Sequence, residues 1–218
     1  RNPRPFQPLE PEYQELRDIM RQRRVLVQTR VEERDRLEKL IDSPSVKKFL
    51  KSHIKHLDRL LDRVEKALQQ LLQKFPELQQ DLKRLTSIPG VGQITAMTVL
   101  GELGDLRRFE RSREVSAMAG VTPHNIESGT STKHSSMDRM GSPEVRKVLY
   151  MAALTTTRNN KNRLGRSYLH LIENNGLCKK EALVAVMRKT LVIMRALLIS
   201  DTDYQDDFGQ VTCFSQSQ

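Results

Sequence analysis

The chain has little of what several classes of protein require. Its 218 residues include two cysteines, too few for a disulfide framework, and no tryptophan. The most apolar stretch, residues 191–199, is interrupted by Arg195 and is much shorter than the roughly eighteen apolar residues of a membrane-spanning helix. The first residues are not typical of a secretory leader. We therefore expect an intracellular protein of the cytoplasm with reduced cysteines.

Glycine and aromatic residues are also scarce. Ten glycines and an aromatic share of 5% are low for a chain built from strands and tight turns. Leucine, glutamate, lysine, arginine and glutamine are abundant instead, and these residues favour helices. The composition therefore predicts an all-α fold.

Positive charge is unevenly distributed along the chain. The 37 Lys and Arg residues outnumber the 27 Asp and Glu residues, which gives a net charge of +10. Residues 139–200 contain twelve Lys or Arg against three acids, whereas the last eighteen residues contain four Asp and no cation. Concentrated positive charge favours a polyanionic partner, and nucleic acid is the commonest one. A solvated helical surface is the alternative.

The first part of the chain predicts a long helical hairpin or coiled coil. Residues 1–9 hold three prolines and are interpreted as a linker, and residues 10–84 as a helical coiled-coil segment. A first helical run stops at residues 42–44, and a second, over residues 50–85, alternates apolar steps of four and three. Pro76 should interrupt this second helix. The heptad seam is a candidate interface between copies of the chain in a dimer or tetramer.

The second part predicts a compact domain of short helices over residues 85–200. A polar loop over residues 120–141 is too long to be a simple connector. Ser142 and Pro143 then form a helix start signal, with a capping hydroxyl followed by proline at the first helical position. Residues 201–218 are acidic and then rich in Ser and Gln, so we expect them to be disordered.

Residues 85–96, LTSIPGVGQITA, resemble the helix-hairpin-helix motif that binds the DNA backbone. Gly90 and Gly92 lack a Cβ, so the backbone can turn sharply and approach a phosphate. The N–H groups that open the following helix point toward such an anion. These two glycines and Val91 between them are therefore predicted DNA contacts that position the duplex without reading bases. The alternative is a plain connection between helices with glycine as a cap.

A longer resemblance covers residues 85–198. The stretch starts near IPGVGQITAMTVLGELGDLRRFERSREVSAMAGVTP, continues through Ser128-Gly129 and Gly141 to VRKVLYMAALTTTRNN, and ends in KKEALVAVMRKTLVIMRALL. It resembles the C-terminal half of the IS110/IS116/IS902-type family of insertion-sequence transposases. Residues 10–84 are similar to the helical segment that precedes this half in the family. The resemblance implies a DNA transposase or site-specific recombinase of a mobile element.

The same resemblance implies components outside this sequence. Complete members carry an N-terminal RuvC-like domain with four metal-binding acids, and the chain, which starts at Arg1, is interpreted as a fragment without that domain. Mg²⁺ is expected at the absent domain, and no metal site is predicted within the chain. The implied partners are double-stranded DNA and, in the intact protein, a guide RNA from the element. The fragment alone is expected to be inactive.

In the family, a serine after an AGLTP box attacks a DNA phosphodiester and becomes covalently joined to it. Here the box reads AGVTP over residues 119–123, and counting from its proline places the nucleophile at Ser128, followed by Gly129. Gly129 would let the backbone approach the phosphate, and nearby cations would stabilise the transition state. Competing hydroxyls and a candidate local base occupy the same loop: Ser131, Ser135, Ser136 and His124.

Basic residues supply the remaining predicted DNA contacts, and some positions depart from the family pattern. The predicted contacts outside the hairpin are Lys133, Arg139, Arg146, Lys147, Arg158 and Lys161. Ile126 and Glu127 replace the histidine and first serine of the family, and the family's basic box reads DRMG over residues 138–141. An acid beside the nucleophile would repel a phosphate. A non-catalytic DNA-binding remnant is therefore one alternative function, and a coiled-coil scaffold is a second.

Overall fold

The computed structural model describes residues 8–39, 43–125, 135–137, 141–158 and 162–206. Over these residues the chain is mainly helical, which confirms the predicted all-α class. The elements are α1 (Pro11–Lys39), α2 (Pro44–Lys74), α3 (Pro76–Thr86), α4 (Gln93–Leu103), a short 3-10 helix (Leu106–Arg108), α5 (Ser112–Met118), β1 (Pro123–Asn125), β2 (Ser135–Met137), α6 (Pro143–Thr157), α7 (Arg163–Glu173) and α8 (Lys179–Ser200). They fall into two compact units, Arg1–Gln79 and Gln80–Gln218.

The first unit contains the helical hairpin of α1 and α2. Arg23 Nε donates to Glu65 Oε1 at 2.8 Å, and Arg30 Nη1 donates to Asp58 Oδ1 at 3.0 Å. Residues later in α1 thus meet residues earlier in α2. The two helices are therefore antiparallel.

Part of the predicted heptad seam is buried inside this hairpin. Leu57 and Leu61 of α2 pack with Leu26 of α1, and Val27 and Val64 lie partly buried against them. Burying a leucine side chain contributes on the order of 2 kcal/mol. At these positions the seam is covered by α1 of the same chain.

Pro76 separates α2 from α3, as the sequence predicted. α2 ends at Lys74, and Phe75 follows with φ −123° and ψ 83°, outside the helical region. The Phe75 N–H still donates to Leu71 O at 3.0 Å. Helix α3 then starts at Pro76, where the missing backbone N–H costs no helical hydrogen bond.

The second unit is organised around α8. This helix contacts α5, α6, α7 and the 3-10 helix, and α4 packs against α6. The buried side chains of α8 are Ala182, Leu183, Val186, Met187, Thr190, Leu191, Met194, Leu197 and Leu198. The packing of α4 on α6 places the turn before α4 beside α6.

A buried carboxylate supports the second unit from within. Asp81 is 3% exposed, and its two carboxylate oxygens each accept a hydrogen bond from Arg107 at 2.7 Å. Arg84 donates to the same carboxylate at 3.0 Å, and both arginines contact Asp201. The hydrogen bond to Asp81 raises the pKa of Arg107, against the opposing effect of burial. The charge pattern along the sequence did not indicate this network.

Two local differences from the expectations concern the polar loop and the tail. The polar loop contains a strand pair, in which Pro123 pairs with Met137 and Asn125 with Ser135. Residues 201–206 of the tail are described and bonded to the second unit, whereas residues 207–218 lie outside the described residues. No helix in the described part of the chain is both long enough and apolar enough to cross a lipid bilayer.

Candidate nucleic-acid interface

The turn between α3 and α4 is fixed by apolar residues that point into the core. Ile88 and Val91 are 1% and 5% exposed, and the Val91 N–H donates to Ile88 O at 3.0 Å. Gly90 between them has φ +84°, a left-handed conformation that favours glycine. The Val91 side chain is therefore buried, and its N–H is hydrogen-bonded within the turn itself.

Gly90 lies directly against α6. The Thr156 hydroxyl is 2.7 Å from Pro89 O and 2.8 Å from Ala152 O, so it can donate to either carbonyl. A Cβ on Gly90 would overlap the Thr156 hydroxyl and come within 2.6 Å of Ala152 O. The space beside Gly90 is thus filled by α6, and glycine is required there for packing as well as for its φ angle.

Gly92 is in a different environment. Its φ of −88° and ψ of 170° are ordinary extended values, and a Cβ added there would have nothing within 4 Å. Gly92 is the N-cap of α4, and no side chain caps this helix end among the described residues. Because the first N–H groups of a helix lack intrahelical acceptors, the exposed start of α4 at Gln93 and Ile94 presents partial positive charge to solvent.

The end of α6 and the start of α7 lie beside this turn. Asn162 caps α7, with its Oδ1 accepting from the Gly165 N–H at 2.7 Å, and its Nδ2 donates to Thr156 O at 3.3 Å. Arg158 follows Thr156 by two residues at the end of α6 and is exposed. The predicted contact Lys161 lies outside the described residues. Arg158 is therefore an exposed cation at the end of the helix that packs against the turn.

An acidic segment, residues 201–206, also meets this surface; we call it the acidic strap. The Tyr204 N–H donates to Ser87 Oγ at 2.8 Å, next to the turn. Asp206 Oδ1 accepts from the Arg163 N–H at 2.8 Å and from the Tyr204 hydroxyl at 3.2 Å, and Asp206 Oδ2 accepts from Arg166 at 3.3 Å. The bond from the Arg163 N–H is the main cause that lowers the pKa of Asp206. Burial, followed by the charge of Asp206, raises the pKa of Tyr204 to about 12.

Some of the cations counted in the sequence donate hydrogen bonds to backbone carbonyls of the protein. Arg195 donates to Phe109 O at 2.6 Å and to Glu110 O at 2.9 Å, and Arg146 donates to Gly141 O at 2.7 Å. A count of charges cannot separate such residues from surface cations. The exposed basic residues of the second unit include Lys83, Arg111, Arg113, Lys147, Arg158, Lys179, Lys180 and Arg188.

Lys189 and Ser167 form a polar contact that the sequence did not indicate. Lys189 Nζ donates to Ser167 Oγ at 2.8 Å between α8 and α7. Partial burial lowers the pKa of Lys189, and the neighbouring charge of Arg163 lowers it further. The Lys189 ammonium is thus partly buried and hydrogen-bonded to α7.

The two ends of the polar loop are held together by backbone contacts. A Cβ on Gly141 would overlap the backbone of Met118 to Gly120, and the Ser142 N–H donates to Met118 O at 3.3 Å. Beyond these contacts, β1 and β2 pair antiparallel. The predicted nucleophile Ser128 and the predicted contacts Lys133 and Arg139 lie outside the described residues.

Comparison with known proteins identifies the class of this helical domain. Residues 82–169 match the family model described as "Transposase IS116/IS110/IS902 family". This match covers the turn, the ends of the polar loop, α6 and most of α7. Over these residues the chain is similar to the IS116/IS110/IS902 transposase family.

Individual relatives agree with this family. The chain is 29% identical over 198 residues to the pilin gene-inverting protein of Moraxella bovis, covering 90% of this chain and 61% of that protein. It is 33% identical over 137 residues to the transposase for insertion sequence element IS1111A of Coxiella burnetii, covering 62% of this chain and 37% of the transposase. The chain thus spans about three fifths, or less, of the length of these relatives.

Proposed function

We propose that the second unit binds the backbone of duplex DNA as part of a transposase or site-specific recombinase of a mobile element. The DNA-contacting surface consists of the start of α4 at Gly92, the end of α6 at Arg158, and the exposed cations nearby. Names of the relatives support this proposal, because they describe a transposase and a gene-inverting protein. Double-stranded DNA is the substrate, and a guide RNA is a further partner of the intact protein.

The observation that carries the proposal is the contrast between the two glycines. Gly90 is packed against Thr156 and holds the turn in place, whereas Gly92 faces open space at an uncapped helix start. An exposed helix start on a rigid support is suited to accept a phosphate, since its N–H groups are already oriented. Arg158, exposed at the end of α6, supplies a positive charge for a further phosphate contact.

Substitution of Gly92 tests this arrangement. Asp and Asn both fit the extended backbone and the open space at this position, and both can cap α4. Gly92→Asp also places a negative charge where the phosphate is proposed to bind, so duplex affinity should fall roughly tenfold relative to Gly92→Asn at equal or higher thermal stability. Fluorescence anisotropy with labelled duplex measures both affinities. Equal affinity of the two variants would remove the start of α4 from the interface.

For catalysis we propose Ser128 as the nucleophile. Its hydroxyl loses a proton and forms an O–P bond to a DNA phosphate, while one P–O ester bond of the phosphodiester breaks. The departing DNA oxygen takes up a proton and leaves as a hydroxyl group. The described residues contain no cluster of three or more His, Cys, Asp or Glu side chains that could hold a metal ion.

Covalent trapping tests the serine reaction. The protein expressed from its complete gene is incubated with radiolabelled duplex of the element end and then denatured. A labelled protein band should form with the unsubstituted protein and with Ser131→Ala, and it should be lost with Ser128→Ala. A band that persists in Ser128→Ala assigns the nucleophile elsewhere.

The second candidate function is a DNA-binding remnant without catalysis. Glu127 favours it, because a carboxylate next to Ser128 in the sequence would repel the phosphate that the serine must approach. For this function the duplex affinity persists, whereas the labelled band is absent from the unsubstituted protein. In that case Glu127→Ser should restore the labelled protein–DNA band only if the other groups needed for the serine reaction are still functional.

A further inference from the structure

The acidic strap, residues 201–206, lies across a basic part of the second unit. Asp206 receives a backbone N–H at the start of α7, the guanidinium of Arg166 and the hydroxyl of Tyr204. Lys189 of α8 also lies near this helix, because its Nζ donates to Ser167 Oγ of α7 at 2.8 Å. The carboxylate of the strap is therefore held by one main-chain donor, one cationic donor and one hydroxyl donor.

This set of donors is also the set that proteins use for phosphate oxygens. Backbone N–H groups at helix starts, arginine and hydroxyl groups account for much of the contact with nucleic-acid backbones. The strap lies next to the turn as well, because the Tyr204 N–H donates to Ser87 two residues before Pro89. A carboxylate at this place has the charge and the acceptor atoms of a backbone phosphate beside the proposed DNA-contacting surface.

We propose that the acidic strap is an autoinhibitory contact in which Asp206 occupies the position of a DNA backbone phosphate. The strap must leave the start of α7 before that helix end can contact the duplex, and DNA and strap therefore compete. The inference rests on the proposed DNA binding of the second unit. It adds a phosphate-binding position at Arg163 and Arg166 to the surface formed by α4 and α6.

The two ends of the strap are held with different strength. Asp201 joins the network of Arg84, Arg107 and the buried Asp81, and it has the left-handed φ of 54° that closes α8. Both carboxylates are partly exposed, but the arginines beside Asp201 are 17% and 33% exposed, whereas Arg166, the arginine that pairs with Asp206, is 57% exposed. Exposed pairs contribute little to stability. The strap can therefore open at Asp206 while Asp201 stays in place.

A matched pair of variants tests the competition. Asp206→Asn and Asp203→Asn each remove one negative charge from the strap, and Asp203 is exposed. Asp206→Asn should tighten duplex binding roughly fivefold relative to Asp203→Asn, because it weakens the competitor as well as changing the net charge. Fluorescence anisotropy and thermal melting are measured for both variants and for the unsubstituted chain.

The outcomes separate the strap from the proposed function. If all three proteins bind the duplex and the two variants bind equally, the strap is not inhibitory, and DNA binding stands. If Asp206→Asn has a lower melting temperature but does not bind the duplex more tightly, Asp206 only caps α7, and the inference is also overturned. If none of the three proteins binds the duplex, the proposed DNA binding fails, and the inference fails with it.

Hydrogen exchange on the unsubstituted chain gives a test without substitution. Saturating duplex should speed exchange at the Tyr204 amide, which loses Ser87 as its acceptor, while the Arg163 amide stays protected by phosphate. Slower exchange at both amides would mean that the strap stays bound while DNA covers it, which contradicts displacement of the strap.

Discussion

Thr156 and Gly90 are in contact so close that no larger residue fits at position 90. The Thr156 hydroxyl occupies the volume that a Cβ of Gly90 would need, and it bonds to the carbonyl of Pro89, 67 residues away in sequence. The position of the turn therefore depends on α6. The contact therefore fixes the turn before α4 against the last turns of α6.

Gly90→Ala should be strongly destabilising. The substitution combines a left-handed φ with overlap against α6, and it should lower the free energy of unfolding by roughly 3 kcal/mol. Gly92→Ala is the matched control, because its Cβ faces open space, and it should change stability by less than about 1 kcal/mol. Chemical denaturation of both variants measures the difference. Equal stability of the two would mean that α6 moves aside at little cost.

Substitution of two arginines should distinguish a cation that contacts DNA from a cation that stabilises the fold. Arg158→Met removes an exposed cation, so the slope of log affinity against log salt should become shallower by about 0.9, with stability unchanged. Arg195→Met removes donors to Phe109 and Glu110, so it should lower the free energy of unfolding by about 2 kcal/mol and leave the slope of the folded protein unchanged. Salt titrations of duplex binding and denaturation curves check both statements. A shallower slope for Arg195→Met would place that residue at the DNA.

Asp81→Asn should destabilise the second unit. It removes the charge that two arginines share in a buried site, and the expected loss is roughly 3 kcal/mol of unfolding free energy. Asp105→Asn is the control, because Arg107, the partner of Asp105, still forms its ion pair with Asp81 in this variant. The loss of unfolding free energy should therefore be about 1 kcal/mol or less. Thermal and chemical unfolding measure both. Similar losses for the two variants would show that burial of Asp81 has no special effect.

Tyr204 should titrate at a higher pH than an ordinary tyrosine. Burial favours the neutral hydroxyl and raises its pKa to about 12, against about 10 for an unperturbed side chain. Because the folded-state pKa is raised, the stability that this residue contributes is complete below about pH 10 and is lost as the pH rises through the folded value. The difference in ultraviolet absorbance between the unsubstituted chain and Tyr204→Phe follows this titration. A midpoint near pH 10 would show that the strap does not pack against α7.

Helix content could be predicted from the sequence because local signals agree there. The unbroken apolar spacing of α2, the interruption at Pro76 and the start signal at Ser142 all correspond to helix boundaries in the structure. Ser142 Oγ accepts from the Val145 N–H, as a capping hydroxyl should. Each of these signals acts over a few residues, so a single sequence is sufficient to recognise it.

Long-range contacts could not be predicted in the same way. The spacing of Gly90 and Gly92 looks symmetrical in the sequence, yet one glycine packs against α6 and the other faces solvent, because residues far along the chain decide this. The same limitation applies to Arg195, whose guanidinium group donates hydrogen bonds to two backbone carbonyls. Charge counts and short motifs describe composition, whereas the site depends on which segments meet.

The junction of Gly141 with the backbone of residues 118–120 has a consequence for protein engineering. Since these loop ends are joined independently of the chain that runs between them, the intervening segment can be exchanged as a cassette, and doubling its length should cost only about 0.6 kcal/mol in closure entropy. Chimaeras that receive this segment from a relative should therefore keep the same helical scaffold while changing the chemistry carried at its tip.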